Sequence, residues 1–279
     1  MEYYKYTPVV GHITDDIYCY PAEKCISWAA YFYRWVLRRK IRRLMAKVSY
    51  CEVFAESMAH VYAREFGKPF YLIGKGLDLR LFNPKPYTKH FPLRFAYTGN
   101  MGDERWNVLV MLARAIDGVF AKGAAQLDIY SQTILPSTQL HELTDCVCVT
   151  FHGAVDVQQV LHIQSESDYL IHVESFSASA VYSTRMSFST KIVDYMLAGK
   201  PIIAIGPAVV NSIELLKSNN LGHVACSEQE LRDVITGIQS QRLNDNEILR
   251  NVNRYVTEHH DRDKIQKDIY ARLRGLLSN

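Results

Sequence analysis

Residues Ser187 to Pro207 read SFSTKIVDYMLAGKPIIAIGP. Small hydroxyl residues open the stretch, Lys191 follows, and Asp194 stands three places on. Ala-Gly-Lys-Pro then leads into an apolar run, Ile202 to Ile205. The spacing predicts a short helix capped by Ser189 or Thr190. Ile192, Val193, Met196 and Leu197 form its buried face, and Lys191 and Asp194 share the other. The helix feeds directly into a buried strand, which argues for an α/β fold with a parallel sheet. A lysine in a first turn opposes the helix dipole, at a cost of a few tenths of a kcal/mol. A docked anion reverses that sign. The free amides, the hydroxyls of Ser189 and Thr190 and the ammonium of Lys191 then make a phosphate site. Asp194 can accept both hydroxyls of a ribose. The same spacing also fits a solvated Lys–Asp pair, worth about 0.3 kcal/mol.

Outward from this stretch the alternation continues. Strands are predicted at Leu93–Tyr97, Ala125–Tyr130, Val147–Phe151, Tyr169–Val173 and Pro201–Ile205. Helices fall at Trp106–Phe120, Ser137–Leu143 and Val157–Glu166, near Ser212–Asn219, and at Glu228–Gln239. One long helix over Asp245–Leu277 ends the chain. Earlier come a strand at Pro8–Ile13 and one or two helices over Ala22–Val48. A strand in KVSYCEVF follows, then the helix ESMAHVYAREFG closed by Gly67, then a strand and turn in PFYLIGKGLD. Asn83–Pro92 holds three prolines and reads as a linker. The series after it is long enough for a complete doubly wound domain. The residues before it supply two or three strands and leave a sheet incompletely covered.

The 279 residues are enough for two domains, and 48% hydrophobic with 22% charged residues is the balance of a soluble protein with real cores. A net charge of +3 is too mild to argue for nucleic acid. The six cysteines form no CxxC pair and the histidines show no zinc spacing, so reduced thiols in a cytosolic protein and no metal are expected. MEYYKYTPVVGH lacks the parts of a signal peptide, and the longest apolar runs fall short of the roughly 20 residues that span a bilayer.

A second motif is LRFAYTGNMGDERW, Leu93 to Trp106. A strand runs into Gly99-Asn100-Met101-Gly102 and a helix follows. Glycines there let backbone approach a ligand, and Arg105 can grip a diphosphate with two donors. The pattern lacks the third glycine of GxGxxG and is not GxxxxGK[ST], which weakens the dehydrogenase and P-loop readings.

YTGNMGDERW, FHGAV, SDYLIHVESF and TRMSFSTKIVDYMLAGKPIIAIGP, in that order and spacing, resemble the donor-binding domain of group 1 (family 4) glycosyltransferases. PVVGHITDD, FAESMAHVYAREFGKPFYLIGKGLD and YVTEHHDRDKIQKDIYARL resemble parts of the amino-terminal side, so the likeness spans roughly the whole chain. It implies α/β GT-B architecture with two Rossmann-like doubly wound domains, the amino-terminal one incomplete. Expected boundaries are 1–90 for the partial acceptor-side domain, 91–250 for the donor domain and 251–279 for a helix returning to the first.

The resemblance implies transfer of a sugar from a nucleotide-sugar to an acceptor hydroxyl. Retention is expected, without a bound metal or other cofactor, in polysaccharide or glycoconjugate synthesis. Arg105 and Lys191, with amides at Gly99, Asn100 and Gly102, would hold the diphosphate. Ser189 and Thr190 at the helix start would help hold the diphosphate, and Asp194 would hold the ribose. Glu174 would lie near the donor sugar or diphosphate, and Arg185 would bind phosphate or Glu174. His152 and Gly153 would line the base pocket, and Asp15 and Asp16 would face the reacting centre or acceptor from the amino domain. Two departures stand out. The family has glutamate where this chain has Asp194, and an acid where it has Met186. Relatives also carry a longer amino-terminal part, so the chain is expected to be a remnant or to need another chain.

Tyr33–Val48 carries seven Arg/Lys among apolar residues. It predicts either peripheral contact with an anionic membrane, suited to a lipid-linked acceptor, or a solvated helix whose apolar stripe packs on the amino-domain sheet. The expected partners are thus a nucleotide-sugar donor and a glycan or lipid-linked acceptor, with no nucleic acid. The expected place is the cytoplasm, with the inner membrane surface as the site of contact. Rival functions are a non-catalytic donor-binding module or partner subunit, and an epimerase of similar architecture.

Overall fold

The computed structural model describes residues 7–19, 27–80, 82 and 87–277. The first residues of the expected Ala22–Val48 helix, Cys25 among them, and the Asn83–Pro86 half of the expected linker lie outside the described residues. The chain divides into two compact units. The first holds 1–78, 182–188 and 260–279, and the second holds 79–181 and 189–259.

In the first unit, β1 (Val10–Ile13), β2 (Tyr50–Val53) and β3 (Phe70–Leu72) form a parallel sheet in chain order. Helix α1 (Trp28–Lys47) joins β1 to β2, and α2 (Glu56–Phe66) joins β2 to β3. Ser27 caps α1 by accepting the Ala30 amide. Gly67 ends α2 in the left-handed conformation, φ +62, a position that suits a residue without Cβ. Val53, Met58, Tyr62 and Met186 pack in one buried cluster.

In the second unit, six parallel strands lie in the order β6-β5-β4-β7-β8-β9. They are β4 (Leu93–Thr98), β5 (Ala125–Tyr130), β6 (Val149–Gly153), β7 (Tyr169–Val173), β8 (Ile202–Ile205) and β9 (His223–Ala225). Counted within the unit, the order is 3-2-1-4-5-6, that of a doubly wound Rossmann sheet. The interior strands β7 and β8 are buried at every residue, which explains their continuous apolar sequences. Leu109, Leu112 and Ile116 of α3 (Arg105–Val119) pack with Leu231, Ile235 and Ile238 of α9 (Glu228–Gln239) in the main core. The remaining helices are α4 (Ser137–Thr144), α5 (Val157–Glu166), α6 (Ala178–Thr184), α7 (Lys191–Ala198), α8 (Asn211–Ser218), α10 (Asp245–His259) and α11 (Arg262–Leu277).

Three details differ from the sequence expectation. The long terminal helix is two helices, α10 and α11. His260 between them is buried with Nδ1 on the Lys75 carbonyl at 3.0 Å, and the Asp261 carboxylate accepts the amides of Asp263 and Lys264 to start α11. The second unit begins near Leu79 rather than at 91, because the later part of the expected linker is tied to it. Buried Asp168 accepts the amides of His90 and Arg94, and Lys89 lies 2.8 Å from Asp245. Finally, the short segment 182–188 belongs to the first unit, an interruption that a division into consecutive blocks misses.

Candidate functional site

β4 and β7 are neighbours, but the connections that follow them lead to opposite sides of the sheet order. Such a switch point leaves a crevice at the carboxyl ends of the strands. Gly99 follows β4 directly, and Glu174 follows β7 directly.

The Gly99–Glu104 loop is braced from within. Tyr97 donates its hydroxyl to the Asn100 carbonyl at 2.6 Å, and Thr133 donates to Asn100 Oδ1 at 3.1 Å. The Gly99 amide donates to the Tyr130 carbonyl, the Met101 amide to Thr133 Oγ1, and the Gly102 amide to Asn100 Oδ1. These amides are therefore committed, and the expected cradle of backbone donors at Gly99 and Gly102 is not available in this geometry. Asn100 acts as the loop's brace. Asp103 and Glu104 both take positive φ, 52° and 62°, and turn the chain into α3. Neither is glycine, so the turn stores strain beside the crevice.

Gly99 has a different reason to be glycine. A Cβ there would collide with Lys191 Nζ and stand 3.1 Å from the Tyr97 hydroxyl. The ammonium of Lys191 lies over the Tyr97 ring, 5.1 Å from its centroid. Burial, and then the Arg105 charge, push its pKa down to about 8, with Glu174 pulling the other way. Arg105 Nη2 meets Glu174 Oε2 at 2.9 Å, and Nη1 lies 3.5 Å from Asp103. His172, buried in β7, stands 3.0 Å from Ser212 Oγ and 3.5 Å from Glu174 Oε1. Burial, with Lys191 and Arg105, lowers its pKa to about 3, so it is neutral. Gly206, after β8, lets Glu174 approach: a Cβ there would lie 2.9 Å from Glu174 Cβ.

Ser189 and Thr190 do not cap α7 as expected. Thr190 itself has helical dihedrals and makes no side-chain cap bond, since its hydroxyl cannot reach back from that conformation. The first turn closes instead through the Ser189 and Thr190 carbonyls, which accept the Ile192 and Val193 amides. Asp194 is half-buried one turn along α7. Farther along the strand ends, His152 stacks on Tyr130 at 4.4 Å and bonds Asp128 at 2.6 Å. Gly153 follows at φ +75, with open space where a side chain would stand.

The residues assigned to the amino-terminal side form a separate group in the first unit. Asp16 is buried, and its Oδ1 accepts the Tyr62 hydroxyl at 2.6 Å and the amides of Tyr18 and Cys19. That oxygen ties a turn, while Oδ2 is buried and accepts no hydrogen bond. Arg185 lies 3.6 Å from Asp16 Oδ2 and donates to the Cys19 carbonyl, and its guanidinium lies over the Tyr182 ring at 5.2 Å. Asp15 is exposed and accepts from Ser187 at 2.9 Å. Met186, where the resemblance called for an acid, fills the core of that unit.

Gly99, Arg105, Glu174 and Lys191 thus converge. Tyr97, His172, Ser212 and Gly206 belong to the same group and were not read from the sequence. The histidine inside the apolar strand YLIHV and the glycine ending IIAIG were the available signals. Among the described residues, no three His, Cys, Asp or Glu side chains cluster as a metal site would.

No protein-family model and no curated protein matches this chain. Solved structures do. Anabaena HepE, determined in complex with UDP-glucose, is 18% identical, with a TM-score of 0.67 over 96% of this chain and 72% of its own. WaaG, a glycosyltransferase involved in lipopolysaccharide biosynthesis, is 13% identical, with a TM-score of 0.65 over 94% and 75%. Sucrose-phosphate synthase from Thermosynechococcus elongatus is 16% identical, with a TM-score of 0.65 over 96% and 68%. The chain has the GT-B fold of these glycosyltransferases, with Rossmann-like parallel sheets in both units.

Proposed function

We propose that the chain is a glycosyltransferase that takes a sugar from a UDP-linked donor to an acceptor hydroxyl. The observation that carries this is Lys191. Its charge is held against burial, a helix dipole and the Arg105 cation, at the switch point of the sheet. A bound diphosphate relieves all three. In sugar transfer the leaving group is a nucleoside diphosphate, so the main task is to stabilise the negative charge that develops on it. Lys191 and Arg105 do that here. Glu174 fixes the guanidinium before the donor arrives, and neutral His172 backs Glu174 without adding a competing cation. Asp194 takes the ribose hydroxyls, and His152 stacked on Tyr130 borders the base. The reading needs no metal, because two side-chain cations balance the diphosphate. Retention, a hexosyl donor, a cytoplasmic site of action and a product in polysaccharide or glycoconjugate synthesis follow the family resemblance.

The fold likeness to HepE, solved with UDP-glucose, supports UDP as the nucleotide. Calorimetric titration with UDP, GDP and ADP tests the site, and slow hydrolysis of UDP-sugar tests turnover. The commitment of Asp16 to a structural turn favours one second reading, a donor-binding module without turnover. Tight UDP binding without hydrolysis or transfer would select it.

A further inference from the structure

Tyr195 follows Lys191 by one turn of α7, which sets the two side chains on the same helical face. It is fully buried. The ladder between β4 and β7 holds only Phe95–Tyr169 and Ala96–Leu170, although β4 runs on to Thr98 and β7 to Val173. The strands therefore part before they reach the switch point. The Tyr195 hydroxyl stands in that split. Its oxygen lies 3.2 Å from the Ile171 carbonyl in β7, 3.2 Å from Thr98 Oγ1 and 3.4 Å from the Thr98 carbonyl at the end of β4. Gln164 of α5, itself buried, donates to Thr98 Oγ1 at 3.2 Å. A hydroxyl has one proton to give. With Gln164 donating to Thr98, the Thr98 proton goes to Tyr195 and the Tyr195 proton to a strand carbonyl. Burial pushes the Tyr195 pKa up to about 12, so that proton is held at neutral pH.

We infer that Tyr195 is a positioning residue for the diphosphate site. Its hydroxyl ties the parted ends of β4 and β7 to α7, and so holds Lys191 Nζ over Tyr97, in the space that Gly99 leaves. Thr98 directly precedes Gly99, and Ile171 stands three places before Glu174, so one group sets both sides of the crevice. Packing alone does not call for the hydroxyl. Phenylalanine fills the same space and avoids burying a polar atom. The inference rests on the donor-site reading proposed above.

The test is calorimetric titration with UDP of the whole chain and of Tyr195→Phe, Thr98→Val and Thr98→Ser, with Tyr195→Phe repeated in a Lys191→Ala background. Tyr195→Phe and Thr98→Val should each weaken binding about fivefold to tenfold, the size of coupling between groups in one network. Thr98→Ser keeps the hydroxyl and should bind within about twofold of the unaltered chain. With Lys191 already replaced, Tyr195→Phe should change affinity by less than about twofold, because the tie acts through the ammonium. A hydroxyl that serves stability only would lower the melting temperature in Tyr195→Phe and Thr98→Val and leave UDP affinity unmoved. That result would overturn the inference and spare the donor reading, as would an equal loss of affinity with and without Lys191. No UDP binding by the unaltered chain would remove the donor reading and the inference with it.

Discussion

Lys191 carries its charge at the helix end where the backbone dipole opposes it, beside a second cation and over a tyrosine ring. Its pKa near 8 lies below the ordinary 10.5. Between those values the unfolded chain binds more protons than the folded one, so through this group stability rises with pH across that window. At pH 7 the full penalty is present. Lys191→Met should therefore raise the melting temperature at pH 7 while abolishing diphosphate binding, a trade seen where function needs an unfavourable group. The bound anion needs the protonated lysine. UDP affinity should fall as pH rises through 8, approaching about tenfold per pH unit, since phosphate ionisation near pH 6 is already complete. In Lys191→Arg the calorimetric profile should be flat over this range, and an unchanged slope there would detach the titration from Lys191. Asp15 and Asp16 separate in the same way. Asp16→Ala orphans the Tyr62 hydroxyl and two amides, and should cost about 2–3 kcal/mol in urea unfolding. Exposed Asp15→Ala should cost little. Sequence spacing conveyed which residues stand at strand ends. It carried no record of hydrogen bonds already made, which is why Asp16 and Arg185 read as reactive and Tyr97 and His172 went unread.

The loops differ in how rigidly they are built. Gly99 faces the far end of the flexible Lys191 side chain and, at 3.1 Å, the hydroxyl of buried Tyr97, so Gly99→Ala should fold at a modest cost in stability and displace the ammonium, weakening UDP binding. Gly206 faces the Cβ and, at 3.2 Å, the backbone carbonyl of Glu174, which cannot swing away. Gly206→Ala should lower stability by about 1–3 kcal/mol, measured in the same urea series. Most elements were legible because apolar periodicity is local: Ala125–Tyr130, Val157–Glu166 and Glu228–Gln239 have the bounds the pattern gives. Helix α6, ASAVYST, lacks an apolar stripe, and β9 is three residues long with a buried His223 held by Asp245. Neither leaves a periodic signal. The break at His260 depends on Lys75, 185 residues away in sequence, and no local rule reaches that far.

Over the whole molecule, the strand order 3-2-1-4-5-6 is what gives the local motifs a common place. It brings the ends of β4 and β7 together although Gly99 and Glu174 stand 75 positions apart in sequence. Alternation of strands and helices announced the fold class, and the resemblance announced GT-B architecture. The interrupted first unit was not legible, because segment 182–188 is too short to carry a pattern of its own. The central claim concerns the switch point, and calorimetric titration of the chain and of Lys191→Ala with UDP tests it most directly. The account predicts micromolar binding that weakens by about 1.5–3 kcal/mol in the variant, the size of a charge-assisted contact. UDP binding that is equal in both proteins, or absent from both, would contradict it.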